Sequence, residues 1–183
     1  MIRILFIGFA ILLLIYLLIP GPTSIDNFSE LPNSTKSTLS GDTIQQQNVA
    51  GYFSNNYRNF VTNFYKNDYS SKVVLPFLPI RLNYPPEFAY TAIIDQTKST
   101  YLEEFVYPLR DSLFVNGFEP FYESGKQKFF SSTKFEQEGK LFYTKATLRY
   151  YPSPIWVRIT VWLGILVSMF LIWKTARRVI SRG

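Results

Sequence analysis

Nineteen residues from Ile155 to Trp173, IWVRITVWLGILVSMFLIW, carry a single charge and lead into KTARRVISRG. At a helical rise of 1.5 Å per residue the run is about 28 Å long, close to the ~30 Å hydrocarbon core of a bilayer. Few folds can hide such a stretch, so residues 155–173 are expected to form a transmembrane helix. Trp156 and Trp173 then stand at its two interfaces. Arg158 lies within a turn of the outer end, where its stem can run along the helix and its guanidinium reach the headgroups. The competing reading is an arginine buried and paired inside a helix bundle. Gly164 and Ser168 give one small-xxx-small spacing, weak support for self-association. Lys174, Arg177 and Arg178, with Arg182 beyond them, face no acid, which assigns the 174–183 tail to the cytoplasmic side.

The other end of the chain agrees. Arg3 precedes an apolar run from Ile4 to Ile19, a cleaved signal peptide or an uncleaved anchor. Cleavage needs small residues at −3 and −1; Gly21 and Thr23 would serve poorly with Pro22 between them, and no A-x-A pattern is present, which favours an N-terminal anchor over 1–19. Both spans then leave residues 20–154 extracytoplasmic and both termini cytoplasmic.

The net charge of +6 reports this topology. Arg3, Arg158, Lys174, Arg177, Arg178 and Arg182 are six of the 19 basic residues, and the remaining 13 balance the 13 acids of the middle. A basic protein often binds polyanions, but a neutral middle gives no reason to expect a nucleic-acid partner. The chain has no cysteine and no histidine. That removes disulfides, thiol nucleophiles and the commonest general base and metal ligand. No cofactor or metal is expected. Outside the two apolar runs the aromatic residues are all Phe or Tyr, suited to strands and a packed interior.

Residues 20–47 are rich in Ser, Thr, Asn and Gln and read as a polar linker, flexible or loosely docked. Asn27-Phe28-Ser29 and Asn33-Ser34-Thr35 fit the N-glycosylation pattern, as chance allows in such a segment. Residues 48–151 form the extracytoplasmic domain. Val49, Tyr52, Phe53, Tyr57, Phe60, Val61 and Phe64 recur at helical spacing and predict a helix over Asn48–Tyr65. Pro76 and Pro79 make Val73–Leu82 an edge strand at best. Phe88–Ile94 reads as a strand, unless Pro86 opens a short helix. Thr100-x-x-Glu103 has the form of a capping box, with Leu102, Phe105, Val106, Leu109 and Leu113 on one helical face, a kink at Pro108 and a stop at Asn116-Gly117. Strands follow over Phe118–Tyr122, Lys128–Phe135 and Leu141–Tyr150, the last two around a Glu136–Lys140 hairpin loop. The expected fold is a membrane-anchored α+β domain with a three- to four-stranded, mostly antiparallel sheet and two packed helices.

Two short stretches resemble catalytic motifs. Asp95-Gln96-Thr97-Lys98-Ser99-Thr100 distantly resembles the phosphorylated-aspartate loop of haloacid-dehalogenase-like proteins and P-type ATPases. That resemblance implies Asp95 as a nucleophile toward phosphate. Lys98-Ser99 replaces the family's glycine, and no later strand carries a paired acidic motif, so a polar strand-to-helix loop is the preferred reading. Ser131-Ser132-Thr133-Lys134 resembles the S-x-x-K of penicillin-binding proteins and class A β-lactamases. A strand there would send Ser131 and Lys134 to opposite faces, and the partner motifs are absent. Glu103 reads as a cap and Glu104 as a solvated helix position.

On the last strand Phe142, Ala146, Leu148 and Tyr150 include the apolar side, while Lys145 and Arg149 fall on the other. Tyr143 and Tyr151 share the side of Lys145 and Arg149, which makes these four a candidate interaction face. The expected function is a non-catalytic subunit of a cell-envelope assembly, in contact with membrane lipid and with other envelope proteins or itself. Two alternatives stand beside it. One is a membrane-bound enzyme acting on lipid headgroups or cell-wall precursors, signalled by a polar pocket holding two or more of Asp95, Lys98, Glu103 and Asp111. The other is a sensor without an output domain of its own.

Overall fold

A computed structural model describes residues 2–39, 42, 46–94 and 98–180, and it divides the chain into two compact units. One is a helical pair made of residues 1–20 and 153–183; the other is the domain Gly21–Pro152.

The helical pair contains α1 (Ile2–Leu18) and α4 (Ile155–Ile180). Among the described residues α4 is the one helix both long and apolar enough to cross a membrane, and α1 is a shorter apolar helix of 17 residues. The helices are antiparallel. Trp162 Nε1 donates to Ala10 O (2.9 Å), while Arg158, near the start of α4, reaches the C-terminal end of α1. The Arg158 side chain follows the expected alternative of a buried, paired arginine. It is 6% exposed and donates through Nη1 to Leu17 O (3.2 Å) and through Nε to Ser153 O (2.9 Å). The last carbonyls of a helix lack partners within it and carry its negative dipole end. Arg158 serves both needs of α1, which explains why it is buried. Lys174, Arg177 and Arg178 are exposed on α4, which continues helical past the expected boundary at Trp173; Arg177 lies over the Trp173 ring (5.0 Å). Arg3 is in the first turn of α1, and its side chain and Arg182 lie outside the described residues.

The domain is α+β with an antiparallel sheet. Six strands lie in the order β1-β2-β8-β5-β4-β3, with β1 Ser34–Lys36, β2 Val49–Ser54, β3 Ile80–Tyr84, β4 Tyr101–Val106, β5 Ser112–Phe118 and β8 Thr144–Tyr151. A separate hairpin joins β6 (Phe135–Gln137) to β7 (Lys140–Phe142) through Glu138 and Gly139, both at positive φ, as a two-residue turn of this kind requires. Helix α2 (Arg58–Ser71) crosses one face and buries Val61, Tyr65 and Tyr69, spaced by four, against the central strands. Tyr52, Phe105, Leu113, Val115, Leu148 and Tyr150 supply that face of the sheet, all at most 4% exposed. The opposite face is covered in part by Pro86–Ala92, a 3-10 turn running into the short helix α3 (Ala89–Ala92). There Ala89 and Ile93 pack on Leu102, Phe114 and Tyr84.

Several expected elements change identity. The helix over Asn48–Tyr65 is split: Val49–Ser54 is a strand, and the helix begins only at Arg58. The helix from Thr100 to Asn116 is the β4–β5 hairpin, with Pro108 in its turn. Phe88–Ile94 is helical rather than extended, and Lys128–Lys134 is an irregular loop. The expected linker is part of the domain from Gly21. Ile25, Phe28 and Leu31 are buried, Phe28 packs on Tyr69 (5.6 Å) and Tyr150 (5.1 Å), and Tyr150 Oη donates to Pro22 O (2.9 Å). Three well-spaced apolar side chains suffice to dock a polar stretch. Ser40, Gly41, Thr43–Gln45 and Asp95–Thr97 lie outside the described residues.

Candidate functional site

The face opposite α2 carries a cleft of about 670 Å³ at the sheet end where β5 finishes and β8 starts. Strand alternation decides which side chains reach it. Phe118 and Lys145 are cross-strand partners, and Phe53 is the partner of Lys145 on the other side. All three therefore point to this face. Phe135 closes against Phe118 (5.9 Å, edge-on) and Phe53 (5.4 Å), and Phe129 stacks on Phe118 (6.2 Å). The floor and one wall are thus aromatic. Tyr90 and Glu87, from the covering helical segment, and Lys98 form the other side. Lys98 Nζ stands 5.9 Å from the Phe118 centroid, in cation-π range.

The mouth of the cleft displays Phe130, which is 100% exposed, beside Phe129 at 49%. The display is held in place by its own turn. Ser131 sits at φ +58°, Ser132 N donates to Phe129 O (3.3 Å), and Gln127 Nε2 donates to Ser132 O (2.8 Å). A phenylalanine left in water forgoes roughly 2 kcal/mol that burial would supply. A fixed turn that holds it out is therefore a feature to be explained by what meets it.

The sequence-derived interaction residues are distributed differently from one surface. Lys145 lines the cleft but is half-buried and ion-paired to Asp42 (2.8 Å). Tyr143 precedes β8, with its ring on Phe121 (5.3 Å) and Lys134 Nζ above it (4.4 Å). Arg149 donates to Gln46 Oε1 (2.9 Å) and to Ile93 O (3.3 Å), and Tyr151 donates to Ala92 O (2.7 Å). Arg149 and Tyr151 are thus tied to the segments that lie over them.

No family model matches the chain, and no curated protein sequence or solved structure matches it either. Its chemistry is read from its own residues.

The acidic groups named as enzyme candidates stand apart. Glu103 is fully buried on the α2 face, between Arg58 (Nε–Oε1 2.7 Å) and Arg81 (Nε–Oε2 2.5 Å). Asp111 is buried beside Arg110 at the far end of the sheet. Lys98 belongs to the cleft on the other face, and Asp95 lies outside the described residues. Glu104 is also inside, accepting from Tyr84 Oη (2.6 Å) and from Ser112 Oγ. That hydrogen bond, before burial, pushes the Tyr84 phenol up to about 12. Among the described residues no three acidic side chains converge as a metal site would need. Arg58 N also donates to Glu119 Oε1 (2.5 Å), so both Glu103 and Glu119 anchor the start of α2.

Proposed function

We propose that the protein is a two-span membrane protein whose extracytoplasmic domain is a non-catalytic interaction module, a subunit of a cell-envelope assembly. The observation that carries the reading is Phe130, fully exposed on a braced turn at the mouth of an aromatic cleft. Exposed aromatic anchors beside a preformed pocket are what binding hot spots are made of. Lys98 at the rim suits a partner segment that pairs apolar side chains with a carboxylate. The scatter of Glu103, Asp111 and Lys98 over three places also supports binding over catalysis. For topology, the antiparallel α1–α4 pairing supports a reading with both chain ends on one side, and Lys174, Arg177 and Arg178 favour the cytoplasm for that side.

The test is site-specific photocrosslinking in intact membranes, with p-benzoylphenylalanine replacing Phe130 or, as control, Phe60 on the outer side of α2, which is 49% exposed. A discrete adduct from position 130, absent from position 60 and lost when Phe129→Ser is added, is expected. Identical ladders from both positions, or none from either, overturn the reading.

A further inference from the structure

Five large apolar side chains lie exposed at the opposite end of the sheet from the cleft. Val74 is 82% exposed, Phe77 48%, Leu78 53%, Ile80 50% and Leu109 50%. Four of them come from one segment. Val73–Ile80, VVLPFLPI, is eight residues without a polar side chain, flanked by Lys72 and Arg81, and it connects α2 to β3. The fifth sits on the β4–β5 turn, Tyr107-Pro108-Leu109-Arg110, closed by Arg110 N to Tyr107 O (3.0 Å). Leu109 occupies the third position of this turn at φ +62°, where glycine or asparagine is usual. A leucine there is both strained and turned to solvent. The two segments are continuous, because the Phe77 ring packs edge-on against Tyr107 (6.0 Å).

The domain's two attachment points lie at this same end. The register runs Ile80 to Val106, Val106 to Ser112 and Ser112 to Tyr151, which places the start of β3 level with the end of β8. Pro152 follows Tyr151 directly, and only Pro152–Pro154 separate β8 from α4, a reach of about 14 Å at most between Tyr151 and Ile155. Gly21 begins the domain beside Arg110, Asp111 and Val73, whose side chains a Cβ added at Gly21 would meet at 3.1, 3.3 and 3.7 Å, and only Ile19 and Pro20 separate it from α1. The cleft end of β8 is roughly 23 Å away along the strand.

We propose that Val74, Phe77, Leu78, Ile80 and Leu109 form a rim that seats the domain in the headgroup–acyl boundary of the bilayer. This rests on the reading that α1 and α4 enter that bilayer. Both tethers are too short to lift the rim far from it. Aliphatic and aromatic side chains flanked by basic residues are the composition that partitions into this zone. The seat fixes the tilt of the domain and holds the cleft away from the lipid.

The absence of cysteine makes single-site labelling of the full-length chain direct. Leu78→Cys and Leu109→Cys, each carrying an NBD fluorophore, are compared with Phe130→Cys and with Val167→Cys in the middle of α4. All four are reconstituted into phosphatidylcholine vesicles containing phosphatidylglycerol. Labels at 78 and 109 are expected to emit at shorter wavelength than the label at 130. Lipids spin-labelled near the headgroup should quench them at least about twofold more than lipids labelled near the chain end. The label at 167 should show the reverse depth preference. If 78 and 109 match 130 while 167 is quenched deep in the bilayer, the seat is overturned and the span stands. If 167 is not quenched by lipid, the anchoring is wrong and the seat falls with it.

Discussion

A methyl group added at Gly117 should unfold the domain more readily, and the structure gives both the cause and the remedy. Gly117 is the cross-strand partner of Tyr101, whose ring lies over it. A Cβ built on Gly117 falls inside the van der Waals envelope of Tyr101 Cε1, Cζ and Oη, the last at 2.5 Å. Restoring ordinary contact at 3.5–4.0 Å for the nearest atom, Cε1 at 2.1 Å, requires the ring to move by roughly 1.4–1.9 Å. Tyr101 is 3% exposed and has the Arg58 guanidinium 5.3 Å from its centroid, so it has nowhere to go. Overpacking of this kind costs about 1–3 kcal/mol. Loss of glycine's unfolded-state entropy returns a few tenths of that. The net loss for Gly117→Ala is about 1–2 kcal/mol.

For a domain of this size that is a fall in Tm of about 3–8 °C. Near-UV circular dichroism of the detergent-solubilised full chain can follow it. The three tryptophans all lie in α4, so the tyrosine band reports the domain separately. The decisive measurement repeats the substitution in a Tyr101→Leu background. Leucine has no atoms where Cε1, Cζ and Oη were, so Gly117→Ala should there be neutral or slightly stabilising. The reasoning is refuted if Gly117→Ala shifts Tm equally in both backgrounds, or not at all in the first.

Tyr65 and Tyr69 bury hydroxyls that find no hydrogen-bond partner among the described residues, so Tyr65→Phe and Tyr69→Phe should leave stability unchanged or raise it by up to about 1 kcal/mol in urea unfolding. Tyr84→Phe should instead cost about 1–2 kcal/mol, because its hydroxyl donates to a largely buried carboxylate. Alkaline pH acts on the same groups. Burial, with nearby carboxylates adding to it, pushes the Tyr52 phenol up to about 12, as the Glu104 hydrogen bond does for Tyr84. Unfolded tyrosine ionises near pH 10. A raised folded pKa contributes stability below the unfolded value and loses it as pH climbs, so the unfolding midpoint should drop between about pH 10 and 12. A flat profile across that window contradicts the burial of these hydroxyls. Glu103→Leu leaves Arg58 and Arg81 unpaired, but both keep access to water at 36% and 41% side-chain exposure. The expected cost is therefore about 1–3 kcal/mol, below the 3–5 of a fully buried pair, and a denaturant midpoint that does not move would contradict it.

The α+β class and the antiparallel pairing were legible because the final strand alternates: Ala146, Leu148 and Tyr150 face α2, while Lys145 and Arg149 face away. The central strands hid for the same physical reason. Every residue of Val49–Ser54 is buried, and so are five of the six in Tyr101–Val106, so neither shows a period of two. Their apolar residues then fit a helical spacing by default. Glu103 and Glu104 looked like a cap and a surface charge because sequence does not reveal that Arg58, Arg81, Tyr84 and Ser112 come to meet them. Pro108 is the residue that argues against a helix here. A proline in mid-helix costs about 3 kcal/mol, whereas the second position of a hairpin turn accepts it freely.

Strand alternation points to Tyr143, Lys145, Arg149 and Tyr151 as the candidate face and misses the two exposed apolar surfaces, whose signal is a different arithmetic, one that does not depend on assigning the element correctly. In an extended segment adjacent side chains point to opposite faces, so Phe129 and Phe130 cannot both be buried by a one-sided sheet. On an exposed helix an apolar stripe covers about three residues in seven, so eight apolar residues in a row, Val73–Ile80, exceed what one covered face absorbs. Either way one covered face leaves a surplus, and the structure turns Phe129, Phe130, Val74, Phe77, Leu78 and Ile80 outward. What sequence leaves open is which end each surplus occupies. The strand register decides that, putting Ile80 and the β4–β5 turn that carries Leu109 level with the tethers, and the Phe118–Lys145 pair of the cleft at the far end. The proposals of lipid for the near surplus and a protein partner for the far one rest on that separation: if α4 spans a bilayer, short tethers cannot bring both ends of an eight-residue strand to its surface.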